Sequence, residues 1–237
     1  MSSSPLASGR LHGYQRWVRL RLALLGLRAW PVGRPVPAAL LSSLARAWGN
    51  YGFAPPREYV EVVAEHARRT RGPVLECGSG LTTLVLAALA GRRGVPVLSL
   101  EHLEEWRRSV AAALAALNAP ASRVLAAPLR DYGAFAWYAV PPELPRDFRL
   151  VVCDGPPGDT KGGRYGLLPV LQDKLAPGAL ILLDDADRPD EAAILDRWRR
   201  EAGWQARRRG RYAVITVSGA RAASPASAHA QSRWSIQ

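Results

Sequence analysis

Lysine is almost missing from this sequence: Lys161 and Lys174 are the only two among 32 basic residues. Cysteine is as scarce, and Cys77 and Cys153 alone exclude a disulfide framework as the source of stability. Both lie at the ends of apolar runs that read as buried strands, which predicts small core residues. No apolar run is long enough to cross a bilayer. The best candidate, residues 20–30, is interrupted by Arg21 and Arg28 and is followed by no small-residue cleavage pattern. A cytoplasmic protein is therefore expected. Acidic residues are absent from residues 1–50, which hold seven arginines, and residues 197–237 set nine arginines against Glu201 alone. The net charge of +12 thus belongs to the two ends and leaves residues 51–196 at about −3. A segment that tracked a phosphate backbone would carry its positive charge on its active face, so nucleic acid is disfavoured as a partner. The basic ends remain compatible with peripheral membrane contact, although Arg16 and Arg19 fall on a different side of a helical wheel from Arg21 and Arg28.

With 237 residues and 48% hydrophobic content, the chain is long enough for one α/β domain plus extensions. Residues 1–55 read as a basic extension: 1–13 disordered, 14–30 and 38–48 helical, and a Pro-rich break between the two helices. Residues 56–217 read as the domain, and 218–237, rich in Ser and Ala, as a disordered tail. Within the domain, short β-branched runs at 73–76, 95–101, 123–127, 148–154, 179–184 and 212–217, with a weaker one at 204–208, alternate with helical segments near 57–70, 83–90, 104–117, 166–175 and 189–201. Such alternation predicts a mostly parallel sheet covered by helices, with a ligand outside the carboxyl ends of its strands.

The first strand runs straight into Glu76-Cys77-Gly78-Ser79-Gly80-Leu81-Thr82-Thr83. Gly78 and Gly80 free the backbone for a tight turn and a close ligand, and the helix that follows offers unpaired N–H groups. A dinucleotide fingerprint would need a small residue at Thr83, and the carboxylate of Glu76 would repel a pyrophosphate while suiting an amino group or a sulfonium. Glu101 closes the second strand twenty-one residues after Gly80, where an acid is placed to accept ribose hydroxyls. His102 beside it is a candidate wall of an adenine pocket.

Together with Asp131 after the third strand, Asp154 closing the fourth and Leu183-Asp184-Asp185 closing the fifth, these motifs resemble the class I S-adenosylmethionine-dependent methyltransferase superfamily over roughly residues 59–217. The resemblance implies an α/β, Rossmann-like methyltransferase fold: a seven-stranded, mostly parallel sheet with its last strand antiparallel, preceded here by N-terminal helices. It implies S-adenosyl-L-methionine as cofactor, held by Glu76, Gly78, Ser79, Gly80, Thr82, Thr83, Glu101, His102, Asp131 and Asp154, with Glu76 facing the methionine amino group. Asp154 is the candidate catalytic residue. Asp154, Asp184 and Asp185 are similar to the Mg2+ ligands of catechol-type and sugar O-methyltransferases, though the catechol enzymes carry Asp-Asn where Asp184-Asp185 stands. Base and glutamine-amide methyltransferases carry Asn/Asp-Pro-Pro-aromatic after the fourth strand, a pattern interrupted here by Gly155 and Gly158. O-methylation of a small-molecule acceptor, a sugar or secondary metabolite, is the expectation. The alternatives are an RNA or protein methyltransferase docking through its arginine-rich ends, and a non-catalytic Rossmann-like adapter.

Overall fold

The protein, as a computed structural model, is described over residues 5–49 and 55–218. The tail expected to be disordered lies outside the described residues from 219 onward, as does most of the turn around residue 50. Three helices lead the chain: α1 (Pro5–Ala29), α2 (Ala38–Trp48) and α3 (Arg57–Arg69). The first begins well before the point at which composition alone places a helix start. β1 (Val74–Cys77), α4 (Leu81–Leu89), β2 (Val97–Glu101), α5 (Glu104–Ala116) and β3 (Ser122–Ala126) follow. A small hairpin of β4 (Leu129–Asp131) and β5 (Ala136–Tyr138), not anticipated from periodicity, precedes β6 (Phe148–Cys153). The chain then forms α6 (Leu167–Leu171), β7 (Leu175–Leu183), α7 (Pro189–Ala202), β8 (Gln205–Arg209) and β9 (Tyr212–Thr216).

Among the described residues the main sheet has seven strands in the order β3-β2-β1-β6-β7-β9-β8. Strands β3 through β7 of that order pair in parallel, and β9 enters antiparallel between β7 and β8. The chain works outward from β1 to β2 and β3, then restarts on the other side with β6. Strand order therefore reverses between β1 and β6, and a crevice opens there at the carboxyl edge. The parallel strands are buried on both faces, which is why Val74–Cys77 is buried at every position. Cys77 and Cys153 are indeed free, buried core residues facing each other across the β1/β6 pair.

One core fills the face beneath α7 and the β4–β5 hairpin; another fills the face under α3, α4 and α5, and it includes Leu24, Leu27, Leu41 and Leu44. The leucines of α1 and α2 thus pack on the domain itself. Arg28 reinforces the join by donating from Nη1 to the carbonyls of Leu117 (2.5 Å) and Asn118 (3.0 Å) at the end of α5, and Arg92 reaches back to the carbonyls of Arg28 and Trp30. These are C-terminal helix carbonyls with no intrahelical partner, and a cation satisfies both their hydrogen bonding and their dipole. If α1 shares the core, Leu27→Ala should cost about 2–5 kcal/mol of unfolding free energy in urea denaturation. A loss well under 1 kcal/mol would show instead that α1 is merely laid on the surface.

Candidate functional site

A cavity of about 570 Å3 opens at the carboxyl edge of the sheet, over the β1/β6 crevice. Its lining includes Gly78, Ser79, Gly80 and Thr82 from the loop after β1, Glu101 and His102 after β2, and Asp154, Asp184 and Asp185 after β6 and β7. Three of the residues expected at the cofactor do not line it. Glu76 and Thr83 lie beneath the loop, fully buried, and Asp131 stands exposed on β4, bonded to the Gly133 N–H (2.8 Å) and Lys161. The hairpin after Pro128 carries Asp131 away from the cavity, a detour that strand-end spacing does not register.

The loop is shaped by Gly78, whose φ is +87°. A side chain there would meet the Gly155 nitrogen at 3.0 Å, and one at Gly155 would meet the Tyr138 hydroxyl at 2.2 Å and Gly78 at 3.0 Å. The β1 and β6 loops therefore touch backbone to backbone, and both Gly78 and Gly155 are required by that approach. Gly80 is different: its φ of 162° is extended backbone, so the conformational argument made for it from sequence does not apply. Its N–H donates to Thr83 Oγ1 (2.8 Å), and the same hydroxyl donates to Glu76 Oε2 (2.6 Å). Thr83 thus fixes the turn rather than meeting a ligand.

Glu76 Oε2 also accepts from Ser99 Oγ (2.5 Å), while Oε1 is buried without a partner among the described residues. Burial raises its pKa to about 7, against the pull of those hydroxyls. Glu101 is satisfied by the chain itself: Oε2 accepts from the Ser79 N–H (3.1 Å) and hydroxyl (2.7 Å), and Oε1 from the N–H groups of His102 and Leu103 (2.9 Å each). Trp106 donates from its indole to the Ser79 carbonyl (2.7 Å), and Trp48 packs edge-on against it at 5.5 Å. These two tryptophans wall the cavity, as does Tyr138, and none of the three stood out as a binding residue in the sequence.

Asp154, Asp184 and Asp185 converge as expected, with oxygens within 4.8 Å of one another. Three arginines converge with them. Asp185 Oδ2 accepts from the buried Arg164 (3.0 Å), and its Oδ1 faces Arg188 (3.0 Å) and Arg211 (2.9 Å). Arg164 also donates to the backbone carbonyls of Asp154 (2.5 Å) and Asp184, and lies 3.7 Å from the Asp154 carboxylate and 3.9 Å from Glu191. A Mg2+ ion needs several free, anionic oxygens in octahedral array. Asp185 has none free, and a guanidinium already sits among the carboxylates, so these residues do not fit the ion that sequence resemblance suggested. Asp154 and Asp184 are left as a carboxyl pair. Burial, reinforced by Asp154, raises Asp184 to about 7, and burial likewise raises Asp154 despite the pull of Arg164.

The model of a methyltransferase-domain family matches residues 75–186, the stretch that carries Glu76, the Gly78–Gly80 loop, Glu101, Asp154, Asp184 and Asp185. Among solved structures, similarity reaches an SAH-bound methyltransferase of Podospora anserina at 13% identity and a TM-score of 0.56, covering 92% of this chain and 98% of that one. A putative caffeoyl-CoA O-methyltransferase of Staphylococcus aureus shows 11% identity and a TM-score of 0.57 over 78% of this chain and 93% of its own. An O-methyltransferase of Bacillus cereus in complex with SAH shows 15% identity and a TM-score of 0.50 over 76% and 90%. No curated protein matches the sequence.

Glu76 gives the site a pH signature. Its carboxyl holds a proton up to about pH 7 when folded but only to its ordinary 4.5 when unfolded. Unfolding between those values releases the proton, so stability should fall as pH rises through that window and level off above it, by on the order of 3 kcal/mol. Glu76→Gln removes this term, so the stability gap between variant and parent should widen in the variant's favour from pH 4.5 to 7. A gap that does not change with pH would mean that Glu76 is ionised throughout.

Proposed function

We propose that this chain, a class I S-adenosylmethionine-dependent methyltransferase, methylates a hydroxyl oxygen of a small molecule. The observation that carries the reading is the convergence, on one cavity, of the Gly78–Gly80 loop, Glu101 and the Asp154/Asp184 pair. Bound S-adenosylmethionine supplies an activated methyl group for in-line displacement. The chain then has to hold the cofactor, align the acceptor and remove the acceptor's proton.

Glu101 suits the ribose hydroxyls, with the Ser79 hydroxyl at 2.7 Å standing where a ligand hydroxyl would bond. Glu76 lies beneath the loop and off the cavity wall, so it would favour the methionine ammonium at one remove, through the field of its carboxylate and the Gly80 turn that it braces by way of Thr83. Because that carboxyl is protonated below pH 7 without ligand and a cation bound above the loop would favour its ionised form, binding should release a proton near pH 6. Asp154 and Asp184 suit the acceptor. A carboxyl whose proton affinity has been lifted towards neutrality is matched to taking a proton from an attacking hydroxyl at physiological pH. In this reading Arg164 holds the pair in place and the reaction proceeds without a metal. A cavity walled by Trp48, Trp106 and Tyr138 favours a small acceptor over a polymer.

Calorimetry with S-adenosylhomocysteine tests the cofactor half. Glu101→Gln should weaken binding by about 1–3 kcal/mol, since a charge-assisted acceptor is lost. Ser79→Ala should leave affinity unchanged or improved, because its hydroxyl competes with the ligand. The reverse order would remove Glu101 from the cofactor site. For the chemical half, turnover of an acceptor found by screening with labelled methyl donor should survive chelation. Asp154→Asn should lower kcat by about 10²–10⁴, with little change in S-adenosylhomocysteine affinity. Loss of turnover on chelation, restored by magnesium, would overturn the metal-free assignment.

A further inference from the structure

Where α1 crosses α2 and α5 the helices leave a second cavity, of about 450 Å3. Its walls are mostly apolar and include Trp17 and Leu20 from α1, Trp48 from the end of α2, and Trp106 and Ala113 from α5. Two cations, Arg16 and Arg21, also line it, and both are exposed. Neither forms an ion pair with a carboxylate among the described residues, whereas Arg57, Arg68, Arg69, Arg107 and Arg108 each do. Arg21 instead lies over the Trp17 ring at 5.4 Å. No acidic residue exists in the first fifty positions to neutralise them.

We propose that this cavity binds an amphiphile with an anionic head, its apolar body between the tryptophans and its carboxylate against Arg16 and Arg21. A neutral apolar ligand would gain nothing from the two guanidiniums at the cavity wall. A polyanion would waste the apolar walls, and a flat membrane surface does not enter a cavity lined by three helices, whereas Arg16 and Arg21, though on different sides of α1, both line it. A body of eight to ten carbons falls within what a cavity of this size encloses.

The two cavities share a wall. Trp48 and Trp106 line both, and the Trp106 indole holds the Ser79 carbonyl while the Ser79 N–H and hydroxyl hold Glu101. An occupant of the smaller cavity that moves Trp106 therefore acts on the loop of the larger one. This coupling, though not the amphiphile site itself, rests on the larger cavity being the cofactor site.

Calorimetric titration of the full chain with octanoate, with and without saturating S-adenosylhomocysteine, tests both parts. Octanoate should bind at one site, about tenfold more tightly than octan-1-ol, and Arg16→Ala with Arg21→Ala should remove that advantage. Ala113→Trp should abolish binding by filling the cavity; if it misfolds, the exposed arginine pair carries the test. Octanoate and S-adenosylhomocysteine should change each other's affinity by the same factor. No octanoate binding, equal binding of the alcohol, or binding untouched by the variants overturns the site, and so does adsorption to anionic vesicles without octanoate binding. Octanoate binding with no effect on S-adenosylhomocysteine overturns the link through Trp106. Failure of S-adenosylhomocysteine to bind at all counts against the cofactor assignment and leaves the octanoate isotherm to decide the amphiphile site.

Discussion

Five carboxyl groups, those of Glu76, Glu101, Asp154, Asp184 and Asp185, gather at the ends of four adjacent parallel strands, and the cost of burying them is the constraint around which the site is built. A parallel sheet brings all its strand ends to one edge, so the crowding follows from the topology. Each carboxyl is answered differently. Glu101 is wrapped in N–H and hydroxyl donors, and Asp185 is held by three guanidiniums. Glu76 and the Asp154/Asp184 pair are answered only in part: burial raises Glu76 and Asp184 to about 7 and raises Asp154 above the usual carboxylate range. The carboxyls left under-satisfied are those assigned to the ammonium and to proton removal, which is where spare affinity is useful.

Arg164 makes this arrangement possible. It is almost fully buried, on the turn before α6, and ties the backbone after β6 to the backbone after β7 while neutralising Asp185. A buried cation with several carboxylate and carbonyl partners is costly to remove and geometrically exacting. It holds the ends of two strands together as a bound dication would, but without leaving the pocket open to exchange.

Part of the basic charge, at the chain's ends and in its middle, has an explanation within the fold. Arg28 and Arg92 close helix ends, and Arg93 donates to the carbonyls of Ala67 and Thr70 at the end of α3. The arginines of β8 line an exposed edge strand, where charge discourages pairing with another sheet. Arg188 and Arg211 serve Asp185 at the mouth of the larger cavity. At the ends this accounts for Arg28, the arginines of β8 and Arg211, and in the middle for Arg92, Arg93 and Arg188.

The sequence by itself determined the alternation of strands and helices and the loop from Glu76 to Thr83, while the antiparallel end of the sheet followed from the family resemblance. Apolar period and glycine punctuation are local signals, and a strand-end acid such as Glu101 or Asp154 is placed by the topology those signals imply. What lies between elements distant in the chain was decided only by tertiary structure. Gly155 reads as a mere interruption of a motif until it is found against Gly78. Asp131 has the right spacing but sits on a hairpin that turns away. Asp184-Asp185 has the composition of a metal site, but only packing brings Arg164, Arg188 and Arg211 to it and so fixes its charge. Trp48 and Trp106, fifty-eight positions apart, become one wall between two cavities because α2 and α5 meet, and long-range contact leaves no periodic trace in a single sequence.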